Sequence, residues 1–243
     1  MRTAAILPVK RLHRAKSRLG ASVADPLRGD LARAMVGDVL VALSETAAIE
    51  RTIVVTGEPS VADAACYLGA LVVRDTAEES QSAAVALGIE AAIVEGFERV
   101  LCVPGDCPAL EPAELDSLLS RPGAPDGGSD DGGPGSGPEV VIVPDRHGTG
   151  TNGLLLAPPD AIGPSFGPDS CERHRALARD AGAICRIERL GSLLLDIDTG
   201  ADLAALRERL ADAHTRAPRT RSVLGLTVSA EDLPATRAGA GAG

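Results

Sequence analysis

Four short apolar runs, residues 4–9, 52–56, 70–73 and 100–103, limit the fold of this chain more than any other feature. Each has strand length, is rich in Val, Ile and Leu, and is apolar on both faces, the pattern of a strand covered on both sides. Helix-length stretches lie between them. In the first, Leu31, Met35, Val39 and Leu43 recur every fourth position and form one stripe. The second covers 61–68 and the third 82–94. Such alternation dictates parallel pairing through right-handed crossovers. The expected fold class is therefore α/β, a Rossmann-like, mostly parallel sheet in a single domain over residues 1–210. A chain of 243 residues can enclose one large core of this kind.

The rhythm changes after Val103. A helix over 112–119 leads into residues 121–138, where eleven of 18 residues are Gly or Pro and no large apolar side chain occurs. That composition predicts a flexible insert outside the core. Strands are expected at 140–143 and 154–156, a helix over 171–181, and two more strands at 183–187 and 193–197. Thr199 and Asp202 have capping-box spacing and open a last helix, with Leu203, Leu206 and Leu210 as its buried stripe. From Ala211 the chain turns small and polar, so 211–243 is expected to be a largely disordered tail, with one short docked segment near 222–228.

Composition excludes several functions. The net charge is −10 and the only aromatic residues are Tyr67, Phe97 and Phe166, so a nucleic-acid partner is not expected. Five cysteines, odd in number and without a CxxC, predict neither a disulfide framework nor a structural zinc. No apolar stretch approaches membrane-spanning length, and the first apolar run is too short for a signal peptide. A cytoplasmic protein without a membrane partner is expected.

Against that acidic background, both lysines of the chain, Lys10 and Lys16, fall in the loop after the first strand, together with Arg11, Arg14 and Arg18. No acidic residue precedes Asp25. The reversal of sign suits a polyanion such as a triphosphate; an ordinary solvated basic loop has the same composition. Asp106 lies just past the strand 100–103, at the sheet edge where open α/β folds bind ligands and where a carboxylate can hold a divalent cation. As an N-cap or turn residue it would sit in the same place. Asp196 and Asp198 end the run 193–197, where strand alternation would send both to one face about 7 Å apart. Asp198, nearer the strand end, is the preferred ligand, with helix capping as its alternative. Gly148 to Asn152 form a loop of hydroxyls, an amide and exposed backbone, and Gly167 and Ser170 precede a helix whose free N–H groups suit an anion. Two unremarkable turns would also account for those residues. His147 and His174 are each more simply surface or capping residues than general bases.

A basic loop, carboxylates at two strand ends and a second anion pocket together describe nucleotidyl transfer to a phosphorylated acceptor, with the cation as magnesium. The segments ILPVKRL…AKSRL, PGDCPAL, GTGTN…FGPDS…H and LDIDTGADL resemble the guanylyltransferases of coenzyme F420 biosynthesis, over residues 1–210 apart from the insert. The resemblance implies a glycosyltransferase-A-like nucleotidyltransferase fold, and GTP and magnesium as substrate and cofactor. The acceptor would be a phosphorylated three-carbon acid, either phosphoenolpyruvate or 2-phospho-L-lactate, with the product passing to the next enzyme of the pathway. By motif position, Asp106 and Asp198 would hold magnesium with Asp196 beside them. Lys10, Lys16 and Arg18 would contact GTP, and Thr151, Gly167 and Ser170 the acceptor. The Ala-, Arg- and Gly-rich composition resembles GC-rich bacterial members, so phosphoenolpyruvate is the expected acceptor. Residues 75–85, DTAEESQSAAV, depart from the Gly-rich stretch ending in Leu-Asn with which members read the base, and DTG replaces the usual DTP after Ile197. Two other readings stay open: a cytidylyl or molybdopterin-guanine transferase of the same fold, and a non-catalytic nucleotide-binding protein.

Overall fold

The structure is a computed structural model and describes residues 1–12, 25–121, 137–212 and 215–226. Strands β1 (Thr3–Val9), β2 (Arg51–Thr56), β3 (Leu71–Arg74) and β4 (Arg99–Cys102) alternate with helices α1 (Asp25–Glu45), α2 (Pro59–Tyr67) and α3 (Gln81–Val94). Then come α4 (Pro112–Ser120), β5 (Glu139–Pro144), β6 (Thr151–Ala157), α5 (Ser170–Asp180), β7 (Ile184–Ile187), α6 (Gly200–Leu210) and α7 (Pro218–Val223). The strands form one seven-stranded sheet in the order β3-β2-β1-β4-β6-β5-β7. Six strands run parallel; β6 alone is antiparallel to both its neighbours, β4 and β5. The fold is thus the expected mostly parallel α/β layer.

Strand alternation sorts the core. Ala5, Leu7, Val9, Val54, Leu101 and Val103 pack on one face against α1, α2 and α4. Ala4, Ile6, Ile53, Val55, Val100 and Cys102 pack on the other against α3 and α5. Helix α3 lies so close to β1 that a Cβ at Gly88 would come within 2.5 Å of Ile6 Cγ2, so only glycine fits there. The stripe Leu31, Met35, Val39 and Leu43 is buried throughout. It divides, however, between two cores: Val39 and Leu43 face the sheet, whereas Leu31 and Met35 join a third cluster with Ile197, Leu203, Leu206, Leu210, Ala217 and Leu224.

One expectation is corrected. Residues 193–197 form no strand: a 3₁₀ turn, Gly191–Leu193, is followed by irregular chain. Leu193 is buried under the sheet and Ile197 in the third cluster, so their apolar side chains serve two different cores. The backbone groups are satisfied individually, Leu193 O by Asn152 Nδ2 at 2.7 Å and Ile197 N by Asp106 O at 3.2 Å. An apolar run needs burial and hydrogen-bond partners, and a neighbouring strand is only one way to supply them. The described part of the tail contains one docked helix. Helix α7 docks against α1, and the backbone N–H groups of Arg219 and Thr220 donate to the buried Asp38 carboxylate at 3.1 and 2.8 Å. Of the insert, residues 122–136 lie outside the described residues.

Candidate active site

A cleft of about 360 Å³ opens at the C-terminal edge of the sheet, above β1 and β4. The strand order reverses there: the chain runs from β1 outward through β2 to β3, then crosses back to β4 on the other side of β1, which leaves a crevice between loops. Lys10 follows β1, Asp106 follows β4, Thr151 and Asn152 begin the antiparallel β6, and Asp196 and Asp198 come from the irregular segment; all of them line the cleft. Met35, Val36, Ala32 and Leu12 provide an apolar wall beside them.

Asp106 sits in the turn after β4. It does not cap α4, whose N-cap is Glu111. The turn presses against α1, where a Cβ on Gly105 would approach Val36 Cγ2 to 3.0 Å. Asp196 accepts a hydrogen bond from Asn152 Nδ2 at 3.2 Å. Its carboxyl is raised above the usual range, first by burial and then by the charges of Asp106 and Asp198, which the Asn152 bond only partly offsets. Asp196 is therefore close enough to both Asp106 and Asp198 to feel their charges.

Asp198 does not cap α6 either, because Thr199 does. Thr199 Oγ1 accepts from Asp202 N at 3.3 Å, and the Asp202 carboxylate takes Thr199 N at 2.6 Å, completing the capping box. The same carboxylate accepts the backbone N–H of Asp198 at 3.1 Å and pairs with Arg146 Nη2 at 2.5 Å. Burial alone would raise its pKa, but Thr199, the two backbone N–H groups and Arg146 together hold it below the ordinary value. Asp202 thus joins the Asp198 loop to the loop before β6. Sequence reasoning identified the capping box but not this second duty, since the Arg146 partner is distant along the chain.

On the basic side, Lys10 is exposed at the mouth of the cleft. Lys16 and Arg18 lie outside the described residues. The start of their loop is tied down by Leu12 N donating to Glu58 Oε2 at 3.2 Å and by an Arg11–Glu78 ion pair at 2.9 Å. Glu78 belongs to the divergent segment 75–85. In that segment Asp75 and Gln81 also line the cleft, Asp75 accepts Glu78 N at 2.8 Å, and Ser80 caps α3 through Ala83 N at 3.0 Å. Asp75 was not singled out in the sequence; its signal is a buried carboxylate placed between a strand end and a helix start.

At the far end, Thr151 is buried and shares a 3.0 Å hydrogen bond with His174 Nδ1. Gly167 takes φ +113, which favours glycine, and Ser170 is the buried first residue of α5. Neither of the two lines the cleft as Thr151 does. Cys171 N, in the first turn of α5, donates to Thr149 O at 3.0 Å, and Arg173 N to Asp169 O at 3.2 Å, so these two N–H groups of the helix start are already bonded within the protein. The loop before α5 is bound to α3, which packs on the same sheet face: Phe166 N donates to Ser82 Oγ at 2.8 Å.

The model of the family described as guanylyl transferase CofC like matches residues 3–239. The chain belongs to that family. It is 47% identical over 224 residues to a phosphoenolpyruvate guanylyltransferase of Conexibacter woesei, covering 92% of this chain and 96% of that protein. It is 36% identical over 206 residues to a protein of the same name from Sphaerobacter thermophilus, covering 85% and 93%. Among solved structures, a putative nucleotide-diphospho-sugar transferase from Desulfovibrio desulfuricans superposes with a TM-score of 0.70 at 16% identity, covering 93% of this chain and 95% of that one. A nucleotidyl transferase from Methanothermobacter superposes at 0.59 with 22% identity, covering 88% and 99%. These two likenesses establish the nucleotidyltransferase fold of the glycosyltransferase-A-like type.

For this CofC-like guanylyl transferase the donor set tests what cation the cleft suits. Mutually repelling carboxylates with oxygen-only ligands suit a hard divalent cation. Among the described residues, no three His, Cys, Asp or Glu side chains gather into a ready cage. That fits a small cation that takes one or two carboxylates and completes its shell with phosphate oxygens and water. Among the described residues, no helix is long and apolar enough to cross a membrane.

Proposed function

We propose that the protein joins the GMP unit of GTP to the phosphate of phosphoenolpyruvate and releases diphosphate, a step of coenzyme F420 biosynthesis in the cytoplasm. The observation that carries this reading is the meeting, in one cleft, of Lys10, the Asp106/Asp196/Asp198 carboxylates and Thr151, in a chain whose relatives carry that enzyme name.

In this reading an oxygen of the acceptor phosphate attacks the α-phosphorus of GTP, a P–O bond forms, and the bond to the β-phosphate oxygen breaks. The nucleophile is already anionic, so no general base is needed, and rate comes from positioning and charge stabilisation. Asp106 and Asp198, with Asp196 adjacent, would hold Mg2+, which when bound neutralises charge on the α-phosphate and on the leaving group. Lys10, with Lys16 and Arg18, would hold the triphosphate tail and the departing diphosphate. Asp75 and Gln81, which line the cleft in the divergent segment, would meet the base or ribose. Thr151, Gly167 and Ser170 would orient the acceptor. The product would carry an activated phosphoanhydride, which suits a following enzyme that transfers the three-carbon phosphate unit to a nucleophile with GMP as leaving group.

Mass spectrometry of reactions containing each of the four triphosphates with phosphoenolpyruvate or 2-phospholactate tests the assignment. A single product with the mass of enolpyruvyl-diphosphoguanosine is expected. A lactyl product would correct the acceptor, a product from CTP the nucleotide, and no diphosphate with any pair would overturn transfer altogether.

A further inference from the structure

We propose that His174 is a positioning residue that fixes the Thr151 hydroxyl as a hydrogen-bond donor toward an anionic group of the acceptor; this rests on Thr151 facing the acceptor. His174 is fully buried at the inner face of α5, and both ring nitrogens are engaged. Ser165 N approaches Nε2 at 2.9 Å, and Thr151 Oγ1 lies 3.0 Å from Nδ1. A backbone N–H only donates, so Nε2 must be the bare, accepting nitrogen. A neutral imidazole then carries its proton on Nδ1, and that proton goes to Thr151 Oγ1. Burial, helped by the Arg173 charge, pushes the ring pKa down to about 4, so the neutral form holds at working pH.

The consequence falls on Thr151. Its oxygen accepts from His174 and makes no other hydrogen bond among the described residues. Its own proton is therefore left to donate, and the side chain lines the cleft. A hydroxyl held in that polarity favours an anion and disfavours a donor in the same place. The anchor of the imidazole is itself rigid. Arg173 Nε donates to Ser165 Oγ at 2.9 Å and Arg173 Nη2 to Ser165 O at 2.8 Å, and the Phe166 ring meets the His174 ring edge-on at 5.1 Å. The polarity of one hydroxyl is thus set by a backbone N–H in the loop before α5, a relation across 14 residues of sequence.

The full-length enzyme is assayed with Thr151→Val, His174→Phe, His174→Asn and the double variant Thr151→Val/His174→Phe. Thr151→Val and His174→Phe are each expected to raise the acceptor KM by about 10–100-fold, the loss of a hydrogen bond to a charged group, with the GTP KM within about twofold. Loss of function through one shared hydroxyl makes the double variant no worse than Thr151→Val alone. His174→Asn, whose amide nitrogen can take the place of Nδ1, is expected to recover most of the affinity. Additive losses, or a rise confined to the GTP KM, would overturn the proposal. The imidazole 15N shifts of the unmodified protein decide the matter even where a variant fails to fold. A proton on Nδ1, unchanged between pH 6 and 8, supports it, and a proton on Nε2 sinks it. Failure to form product from any acid would instead count against the guanylyltransferase reading, with the spectrum still deciding the polarity of the His174–Thr151 bond.

Discussion

The cleft has two acidic walls built by different means. Asp106 stands on the run-out of β4, a central strand whose pairing with β1 continues one residue past its end through Val103 N and Ile6 O at 3.0 Å. Its position follows from the sheet. Asp196 and Asp198 stand on an irregular segment held by individual side chains: Asn152 on Leu193 O and Asp196, Asp202 on the backbone of Asp198 and Thr199, and Ile197 pinned in the cluster of α1, α6 and α7. The first wall is secured by cooperative strand pairing. The second depends on a handful of contacts, several of them from α6. If the two walls act together in the proposed reaction, the second is expected to be the more easily disturbed.

The largest effect should come from removing charge at either wall. Asp106→Asn and Asp198→Asn are each expected to lower turnover by roughly 10²–10³-fold or more while leaving the fold intact, because transition-state charge goes uncompensated. Asp196→Asn should be milder. Its carboxyl already sits above its usual pKa through burial and its two acidic neighbours. Diphosphate release at saturating Mg2+ measures all three, and near-normal turnover in either of the first two would reduce that residue to a turn element.

Next comes the support of the second wall. Ending the chain after Asp212 removes Ala217 and Leu224 from the third cluster and strips Asp38 of two N–H partners. A loss on the order of 3 kcal/mol is expected in urea unfolding, from lost apolar burial and broken buried hydrogen bonds. Activity should fall further than stability alone explains, through Met35, which touches both Ile197's cluster and the cleft. A truncated protein with full activity at 20 °C would show that the second wall stands without α7.

A smaller and more local test is Asp202→Asn, expected to cost about 1–3 kcal/mol, since a buried, multiply bonded carboxylate is replaced by a group with one acceptor. Because Asp202 titrates below the ordinary aspartate value in the fold, its contribution is present above that ordinary value and is lost as pH falls through the lower folded one. The stability gap between wild type and variant should therefore narrow as urea midpoints are followed from pH 6 to pH 3. A gap that stays constant would mean that packing, not charge, carries the effect.

The same contrast explains what was legible in the sequence. The first four strands and the first wall could be read directly, since a fully apolar run bounded by polar residues has few other uses, and Asp106 is fixed once its strand is fixed. The capping box at Thr199 and Asp202 could also be read, because both partners are three residues apart. The irregular path of 193–197 could not. Its partners are Asn152, some 40 residues earlier, and clusters that only the tertiary fold assembles, so Leu193, Leu195 and Ile197 look like any buried strand. His174 was passed over for a similar reason. A lone histidine shows no partners in sequence, and both of its hydrogen bonds come from chain 9 and 23 residues away.

The smallest effect should follow from deleting residues 124–136, between the two walls in sequence. Arg121, before the segment in sequence, pairs with Glu188 at 2.7 Å, and Glu139, after it, pairs with Arg186; the deletion leaves all four of those residues in place. Its Gly, Pro, Ser and Asp composition offers nothing large to bury. Shortening a loop changes its closure entropy only logarithmically, by less than about 1 kcal/mol here. Melting temperature and diphosphate release should both stay near wild type. A loss of more than about 1 kcal/mol, or a selective fall in turnover, would show that the cleft draws on this segment as a third support, and the division into a sheet-built wall and a contact-built wall would have to be redrawn.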